Sequence, residues 1–263
     1  MKHDPYPKIT IATVTYNAEK SLQATLDSVA SQTYPNIEHL IIDGCSKDQT
    51  MELIHRYVDS NTGKKIPHDI KVIREPDKGL YDAMNKAIEH AEGEYICFLN
   101  AGDRLHQADT IQKITEQIRV NEESPAVIYG ETDLVDATGR FLRHRRLQIP
   151  EQLHWKSFLQ GMLVCHQSFY VRTDLARKEH YDLKYRYSAD YDWCIRIMKQ
   201  AVSRNMVLHN THLILTDYLS EGLTTQNHKK SLFERLRIMA HHYSWPVAVY
   251  QHLWFIVRAI IKR

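Results

Sequence analysis

The stretch Phe98-Leu99-Asn100-Ala101-Gly102-Asp103 decides the fold, because an apolar strand ends there in a tight turn that carries one carboxylate. Apolar and aromatic residues surround Cys97 at positions 95–99, and this pattern predicts a strand buried on both faces. Asn and Gly are turn residues and end the strand. Asp103 then stands at the carboxyl edge of the predicted sheet, where ligands of α/β proteins bind. A carboxylate at this edge either holds a divalent cation against a diphosphate or caps the next helix.

Length and composition indicate an ordinary globular protein. The chain has 263 residues, of which 43% are hydrophobic and 25% charged, and its net charge of +2 gives no reason to expect a nucleic-acid partner. The four cysteines form no CxxC pair, which argues against a zinc or redox site and fits reduced thiols in the cytoplasm. We expect no signal peptide, and no stretch reaches the ~20 apolar residues that a membrane-spanning helix needs.

Strands and helices alternate over the first hundred residues. Strands are predicted at 8–14, 37–42, 70–73 and 95–99, with helices between them. Asn17 is the predicted N-cap of the first helix, and Ser46 with Gln49 has the spacing of a capping box for the second. This order predicts an α/β fold in which helices flank a mainly parallel, Rossmann-like sheet.

The rest of the chain is predicted to complete one domain and to add helices after it. A helix at 107–121, paired strands at 126–135 and 139–147, a helix at 188–200 and a strand at 206–216 are expected. From Lys229 onward the pattern is helical, with a break at Pro246. We therefore predict a main domain over residues 1–222 and a C-terminal helical region over residues 223–263.

The turns after the first two strands carry side chains suited to a nucleoside. Thr15, Tyr16 and Asn17 offer a hydroxyl, a ring and an amide, although capping and packing would explain them equally. Asp43 is placed to accept a hydrogen bond from an imide N–H, such as that of uracil, or else to serve the turn itself. Because these turns follow consecutive parallel strands, they should meet at one edge of the sheet.

The turn after the third strand carries charge suited to phosphate. Asp77, Lys78 and Gly79 precede a helix whose first N–H groups are free to bind phosphate oxygens. The alternative is a plain surface turn.

Together these four elements resemble the inverting family-2 glycosyltransferases, which have the GT-A fold. The resemblance covers roughly residues 8–220. It implies a hexosyltransferase that moves a sugar from a nucleotide sugar, with UDP as the expected nucleotide, to a hydroxyl of a saccharide or lipid-linked acceptor. The matching pieces are Thr-Tyr-Asn at 15–17, Asp-Gly-Xaa-Ser-Xaa-Asp at 43–48, Asp-Xaa-Gly-Xaa-Tyr-Asp-Ala-Xaa-Asn at 77–85 and Asn-Ala-Gly-Asp at 100–103.

The resemblance implies a role for each matching position. Asp43 corresponds to the aspartate that binds the base. Asp103 corresponds to the last aspartate of the metal motif, which ligates Mg²⁺ or Mn²⁺. Asn100 and Gly102 stand where the commoner motif has aspartates, so diphosphate oxygens and water would complete the cation's shell. The further nucleotide-sugar contacts that the resemblance implies are Thr15, Tyr16, Asn17, Asp77, Lys78, Gly79, Asn85, Asn100 and Ala101.

Inverting transfer also needs a base that takes the proton of the acceptor hydroxyl. Asp190 corresponds to the catalytic aspartate of the family, while Ala189 replaces the glutamate that usually precedes it. Asp192 is the alternative base, or a contact to the donor or acceptor sugar. Both carboxylates would otherwise complement a helix dipole. His166 is expected to contact a donor or acceptor sugar, with a structural histidine as the alternative.

Two features indicate a membrane surface or a protein partner. Residues 140–146 form a basic hairpin, and residues 247–261 hold more apolar side chains than one exposed helix needs. Such a helix is typical of a bilayer interface, but packing against the domain or a second copy of the chain explains it equally. We expect a cytoplasmic enzyme at the inner face of the membrane, active in surface polysaccharide or glycolipid biosynthesis.

Two other functions compete with this interpretation. A sugar-phosphate nucleotidyltransferase needs a glycine-rich loop after the first strand, and residues 14–20 contain no glycine. A non-catalytic nucleotide-sugar-binding scaffold would explain Asn100, Gly102 and Ala189. His209 and His212, near a late strand, are open either as metal ligands or as structural residues.

Overall fold

The computed structural model describes residues 6–119, 123–220 and 228–261. Its first half is the predicted alternation of strands and helices. The four strands lie parallel in the order β3-β2-β1-β4. The elements are β1 (Ile9–Thr15), α1 (Leu22–Ala30), β2 (Ile37–Asp43), α2 (Thr50–Asn61), β3 (Asp69–Arg74), α3 (Leu80–His90) and β4 (Tyr95–Phe98).

The second half extends the same sheet with mostly antiparallel strands. The order continues β4-β8-β6-β9-β5, with β7 paired to β6, and only β6 and β9 among these pairs are parallel within the described residues. The α/β prediction is confirmed. The added elements are β5 (Arg104–Leu105), α4 (Thr110–Arg119), β6 (Val127–Val135), β7 (Phe141–His144), β8 (Phe169–Arg172), α5 (Thr173–Ala176), α6 (Ala189–Ser203) and β9 (Leu208–Leu219).

Burial of β4 on both faces is confirmed. Ile96 and Phe98 join the larger hydrophobic cluster, whereas Tyr95, Cys97 and Leu99 join the cluster on the opposite face. Side chains alternate between the faces of a strand, so a fully apolar strand needs cover on both sides. Helices therefore cover both faces of the sheet, and loops lie at the carboxyl ends of its strands.

The predicted caps of the first two helices are wrong. Asn17 lies before α1 in the left-handed region (φ 49°), and its Oδ1 accepts a hydrogen bond from Lys47 N at 2.9 Å. The Ser46 hydroxyl donates to Asp43 instead of capping α2, and Gln49 makes no side-chain cap. Ser46 Oγ also accepts a hydrogen bond from Asn17 N at 2.9 Å. Both side chains therefore join the first turn to the second, a contact that local capping patterns do not reveal.

The C-terminal region forms two helices, α7 (His228–Tyr243) and α8 (Trp245–Ile261). The break between them lies at Ser244 (φ 96°) and not at the predicted Pro246. Pro246 lies in the first turn of α8, where the backbone N–H that proline lacks would have no partner within the helix. Ile238, Met239 and Ala248 are buried in the cluster that also contains β4 and α6. The predicted domain boundary at 222/223 lies outside the described residues.

Much of α8 stays exposed. Its exposed apolar side chains include Trp245, Val249, Tyr250, Leu253 and Trp254. In the part of the chain that the structure describes, no helix combines the length and hydropathy needed to cross a bilayer.

If α7 belongs to the main core, deleting a buried side chain from it should destabilise the whole protein. Ile238→Ala is expected to lower the free energy of unfolding by about 2–5 kcal/mol, since Ile238 is 0% exposed. Leu232→Ala, in the same helix at a position 38% exposed, should lower it by only about 0.5 kcal/mol. Urea unfolding followed by circular dichroism measures both, and equal losses would contradict a shared core.

Candidate active site

The carboxyl ends of β1, β2 and β4 meet at one edge of the sheet. Thr15 and Asp43 are register partners at the ends of β1 and β2, and the Asn100–Asp103 turn follows β4 on the other side of β1. The sequence predicted that these turns converge, and the topology places them there.

Asp43 is fully buried beneath the turn that follows it. Its carboxylate accepts hydrogen bonds from the backbone N–H (2.9 Å) and hydroxyl of Ser46, and Arg74 Nε lies 3.5 Å away. Thr15 Oγ1 is buried without a hydrogen-bond partner among the described residues, and Tyr16 is 60% exposed. An ionised carboxylate accepts more than two hydrogen bonds, so Asp43 retains capacity for a ligand N–H.

The turn that contains Asp77 contacts the turn after Asp43. A Cβ atom added to Gly44 would lie 2.2 Å from Asp77 Oδ2, so only glycine allows this approach. Asp77 Oδ1 accepts from Gly79 N (2.8 Å), and Asp82 Oδ2 accepts from Lys78 N (2.9 Å). Gly79 has φ 121° at the start of α3, which leaves the exposed Lys78 beside the first turn of that helix.

Two predicted contacts have other partners. Asn17 bridges to the second turn through Lys47, as described above. Asn85 uses both ends of its amide on the backbone of Tyr181, donating to its carbonyl at 3.0 Å and accepting from its N–H at 2.7 Å. These bonds favour positioning roles over direct contact with a nucleotide sugar.

Asp103 is held inside the turn that follows β4. It is 3% exposed, and its two oxygens accept from Gln167 Nε2 (2.8 Å) and from the backbone N–H of Leu219 (3.0 Å). Thr25 braces the same turn, donating to the carbonyl of Asp103 and accepting from Gly102 N, and Ala101 packs beside it. Burial raises the pKa of Asp103 to about 6, although the hydrogen bonds from Leu219 and Gln167 oppose the shift.

The residues around Asp103 fit a hard divalent cation. Asn100 Oδ1 and Gln167 Oε1 are buried and have no hydrogen-bond partner among the described residues. Mg²⁺ and Mn²⁺ prefer oxygen ligands, and two amide oxygens near one carboxylate supply that chemistry. Asp103, Asn100 and Gln167 would hold the cation, and sequence reasoning missed Gln167.

Asp190 lies in the first turn of α6 and is connected to the Asn100 turn. Its Oδ1 accepts from the Tyr81 hydroxyl at 3.0 Å, and its Oδ2 lies 3.3 Å from Nδ1 of His166. Nε2 of His166 is 3.1 Å from Nδ2 of Asn100. Because an amide NH₂ only donates, a neutral His166 carries its proton on Nδ1 and directs it at Asp190.

This environment keeps Asp190 ionised. Burial alone would raise the pKa of its carboxyl, but the hydrogen bond and charge of His166, together with Arg235 and Tyr81, lower it below its ordinary value. The side chain remains 14% exposed, so a substrate hydroxyl has a route to it. His166 thus lies between Asp190 and the Asn100–Asp103 turn, the two parts of the site that the sequence predicted.

Asp192 occupies a different environment. Its oxygens contact Arg196 Nε at 2.7 Å and His242 Nε2 at 2.8 Å, and its side chain is 3% exposed. The contact with His242 joins α6 to α7, and both contacts favour a structural role over that of a base or a sugar contact. Sequence alone offered both roles because the contact with His242, which lies in a distant segment, cannot be read from a local pattern.

A glutamate of α7 holds the segment that precedes Asp190. The carboxylate of Glu234 accepts hydrogen bonds from three successive backbone N–H groups, those of Arg186 (2.9 Å), Tyr187 (2.7 Å) and Ser188 (3.0 Å). Ser231 adds a hydrogen bond to the hydroxyl of Ser188 at 2.8 Å. Helix α7 therefore positions the segment that precedes Asp190, and no motif indicated this.

Comparison with known families agrees with this geometry. Residues 10–179 match Glycosyl transferase family 2, so the chain belongs to that family and is a glycosyltransferase. A "PGL/p-HBAD biosynthesis glycosyltransferase" of Mycobacterium bovis (strain BCG / Pasteur 1173P2) is 29% identical over 261 residues, covering 98% of this chain and 95% of the relative.

Solved structures show the same GT-A fold. The S. aureus TarS fragment 1–349 in complex with UDP-GlcNAc superposes with a TM-score of 0.67 at 19% identity, covering 89% of this chain and 66% of the fragment. The mannosyltransferase PcManGT from Pyrobaculum calidifontis, in complex with GDP-Man and Mn²⁺, gives a TM-score of 0.60 at 16% identity, covering 94% of this chain and 75% of its own.

The raised pKa of Asp103 predicts how cation-assisted nucleotide binding depends on pH. A carboxyl group ligates a cation only when ionised, so the gain in UDP affinity that Mn²⁺ brings should fall as the pH drops through about 6. At pH 5 the gain should be about tenfold smaller than at pH 7.5, by the proton competition of a single site. Calorimetric titration of UDP with and without Mn²⁺ measures it.

Asp103→Asn is the control, because protonation of UDP itself affects both proteins equally. The variant should show no Mn²⁺-dependent gain at either pH. A gain that persists in Asp103→Asn would remove Asp103 from the cation site.

Proposed function

We propose that this chain is an inverting glycosyltransferase that moves a sugar from a nucleoside diphosphate sugar, UDP-linked, to a hydroxyl of a saccharide or lipid-linked acceptor. The observation that carries the proposal is the position of His166, whose Nδ1 lies 3.3 Å from the Asp190 carboxylate and whose Nε2 hydrogen-bonds to Asn100 in the turn that holds Asp103. This contact brings the proposed base close to the proposed donor-binding turn.

Asp43 would recognise the base of the nucleotide. Its buried carboxylate suits the imide N–H of uracil, with Thr15 and Tyr16 beside it. The TarS fragment that shares this fold was solved with UDP-GlcNAc, which supports UDP, whereas PcManGT was solved with GDP-Man.

The diphosphate would lie between Lys78 and the Asn100–Asp103 turn. Lys78 and the N–H groups at the start of α3 provide positive potential for phosphate oxygens. A bound Mg²⁺ or Mn²⁺, held by Asp103 with Asn100 and Gln167, supplies Lewis-acid neutralisation of the leaving diphosphate. Because this turn offers a single carboxylate to the cation, Lys78 would provide a larger share of the electrostatic stabilisation of the diphosphate.

Asp190 would take the proton of the acceptor hydroxyl. The acceptor oxygen then bonds to the anomeric carbon from the face opposite the diphosphate, the carbon–oxygen bond to the diphosphate breaks, and the nucleoside diphosphate leaves. Tyr81 and His166 hold the Asp190 carboxylate, and its lowered pKa keeps it ionised at neutral pH.

The acceptor class and the place of action are inferred from two further observations. The similar mycobacterial protein is named for PGL/p-HBAD biosynthesis, and this supports a surface glycolipid or polysaccharide as the product class. The exposed apolar side chains of α8 support contact with the cytoplasmic face of the membrane or with a second copy of the chain.

Replacing the proposed base should separate chemistry from binding. Asp190→Asn is expected to lower kcat by about 10²–10⁴-fold, because the amide cannot accept the proton, while the affinity for the donor changes little. Asp174→Asn, an exposed aspartate paired with Arg172, is the control and should match the parent.

The measurement is sugar transfer or donor hydrolysis, followed beside calorimetric donor binding. Parental turnover in Asp190→Asn would exclude Asp190 as the base. Donor binding by the parent without any turnover would favour the scaffold over the enzyme.

A further inference from the structure

Two histidines and two aspartates cluster on the strands that follow the donor turn. His106 Nδ1 lies 2.7 Å from Asp217 Oδ1, and His144 Nδ1 lies 2.7 Å from Asp133 Oδ1. Three residues, His106, Asp133 and Asp217, each offer one ligand atom, and these atoms lie within 4.8 Å of one another. We propose that these three residues bind a divalent transition-metal ion of the Zn²⁺ type, with His144 as the fourth ligand.

The sheet forces the two carboxylates together. Asp133 of β6 and Asp217 of β9 are register partners, so their side chains leave the same face of the sheet side by side. Like charges directly opposite each other destabilise a strand pair. Among the described residues no Lys or Arg nitrogen lies within 4.0 Å of either carboxylate, and each carboxylate instead has an imidazole nitrogen at 2.7 Å, charged only when protonated.

The donor set matches transition-metal chemistry. Two imidazole nitrogens and two carboxylate oxygens are ligands that Zn²⁺ accepts in a four-coordinate site. The side chains of Asp133, Asp217 and His106 are 7%, 19% and 26% exposed, so the strands hold them while solvent still reaches them. His144 is 76% exposed and lies on the solvent side of the cluster, where it can close over an ion.

This site is separate from the cation site at Asp103. The residue before Asp133 is Thr132, whose hydroxyl contacts that of Ser168. The residue before Asp217 is Thr216, whose hydroxyl donates to the carbonyl of Gln167. Successive side chains on a strand point to opposite faces, so the two aspartates leave the face opposite Gln167. An ion there would join β6 and β9 to His106, which follows β5, and β5 itself begins at the residue after Asp103.

A second carboxylate cluster in the molecule serves as a matched control. Glu38, Asp69 and Glu92 also bring three ligand atoms within 4.8 Å of one another. Lys8 and Lys71 form ion pairs with Asp69 and Glu92, and the cluster contains no imidazole. Two of its three carboxylates are already paired with lysines, so it should not retain a transition metal.

The test uses the full chain after chelation and incubation with equimolar Zn²⁺, followed by gel filtration and elemental analysis. The parent should retain one zinc per chain, and Co²⁺ in its place should give the visible absorption of a four-coordinate nitrogen and oxygen site. His106→Gln and Asp217→Asn should weaken retention by about tenfold or more. Glu92→Gln and Asp103→Asn should retain zinc like the parent.

His144→Gln guards against variants that fail to fold. Because His144 is an exposed side chain, the metal-free variant should melt at the parental temperature while its Co²⁺ spectrum changes. Failure of the parent to retain zinc, or retention that survives His106→Gln and Asp217→Asn but is lost in Asp103→Asn, would overturn the proposal. None of these outcomes depends on sugar transfer.

Discussion

The arrangement of the site depends on His166, whose Nε2 hydrogen-bonds to Asn100 at 3.1 Å and whose Nδ1 lies 3.3 Å from the Asp190 carboxylate, within ion-pair distance. Asn100 ends the parallel half of the sheet, whereas Asp190 begins a helix ninety positions later in the chain. Without this bridge the donor turn and the base would be independent loops. Asn100, which stands where the commoner motif has an aspartate, then has a structural role. Its amide NH₂ fixes the tautomer of His166 that carries the proton on Nδ1, the nitrogen that faces Asp190.

The second constraint comes from the C-terminal helices. Glu234 binds three consecutive N–H groups before α6, and His242 pairs with the buried Asp192. Burial lowers the pKa of His242, so its contact with Asp192 is a hydrogen bond from a neutral imidazole. A buried carboxylate that loses such a donor is left unsatisfied at a cost of about 1–3 kcal/mol, so a shift of α7 would disturb the helix that carries Asp190. Helix α7 thus supports the proposed base, while the exposed face of α8 remains for a membrane or protein partner.

The fold and the positions of the key carboxylates could be predicted because they rest on local patterns. The apolar run at 95–99 required cover on both faces, the stripe from Leu80 required a helix, and Asp43 ends β2 and Asp103 follows β4, the two strands that flank β1. The resemblance to the family then supplied Asp190, which no spacing rule would have selected over Asp192. In the structure Asp192 contacts Arg196 of the same helix and His242 of α7, and the contact with His242 is a tertiary one.

Hydrogen bonds between distant segments could not be predicted from the sequence. Gln167 reaches Asp103 and Glu234 reaches Ser188, and each pair is more than forty positions apart in the chain. Hydrogen bonds also join the first turn to the second: Asn17 Oδ1 accepts from Lys47 N and Ser46 Oγ accepts from Asn17 N, in place of the caps that local spacing favoured. The histidines singled out near the late strand also differ from those that cluster, since His209 bonds to Gln117 and His212 lies beside Glu151.

The most direct test of the account is a crystal structure of the full chain with UDP and Mn²⁺. The account predicts the uracil against Asp43, the diphosphate between Lys78 and Asp103, and the Asp190 carboxylate opening into the same cleft. Nucleotide bound on another surface, or a cleft from which Asp190 is walled off, would contradict it.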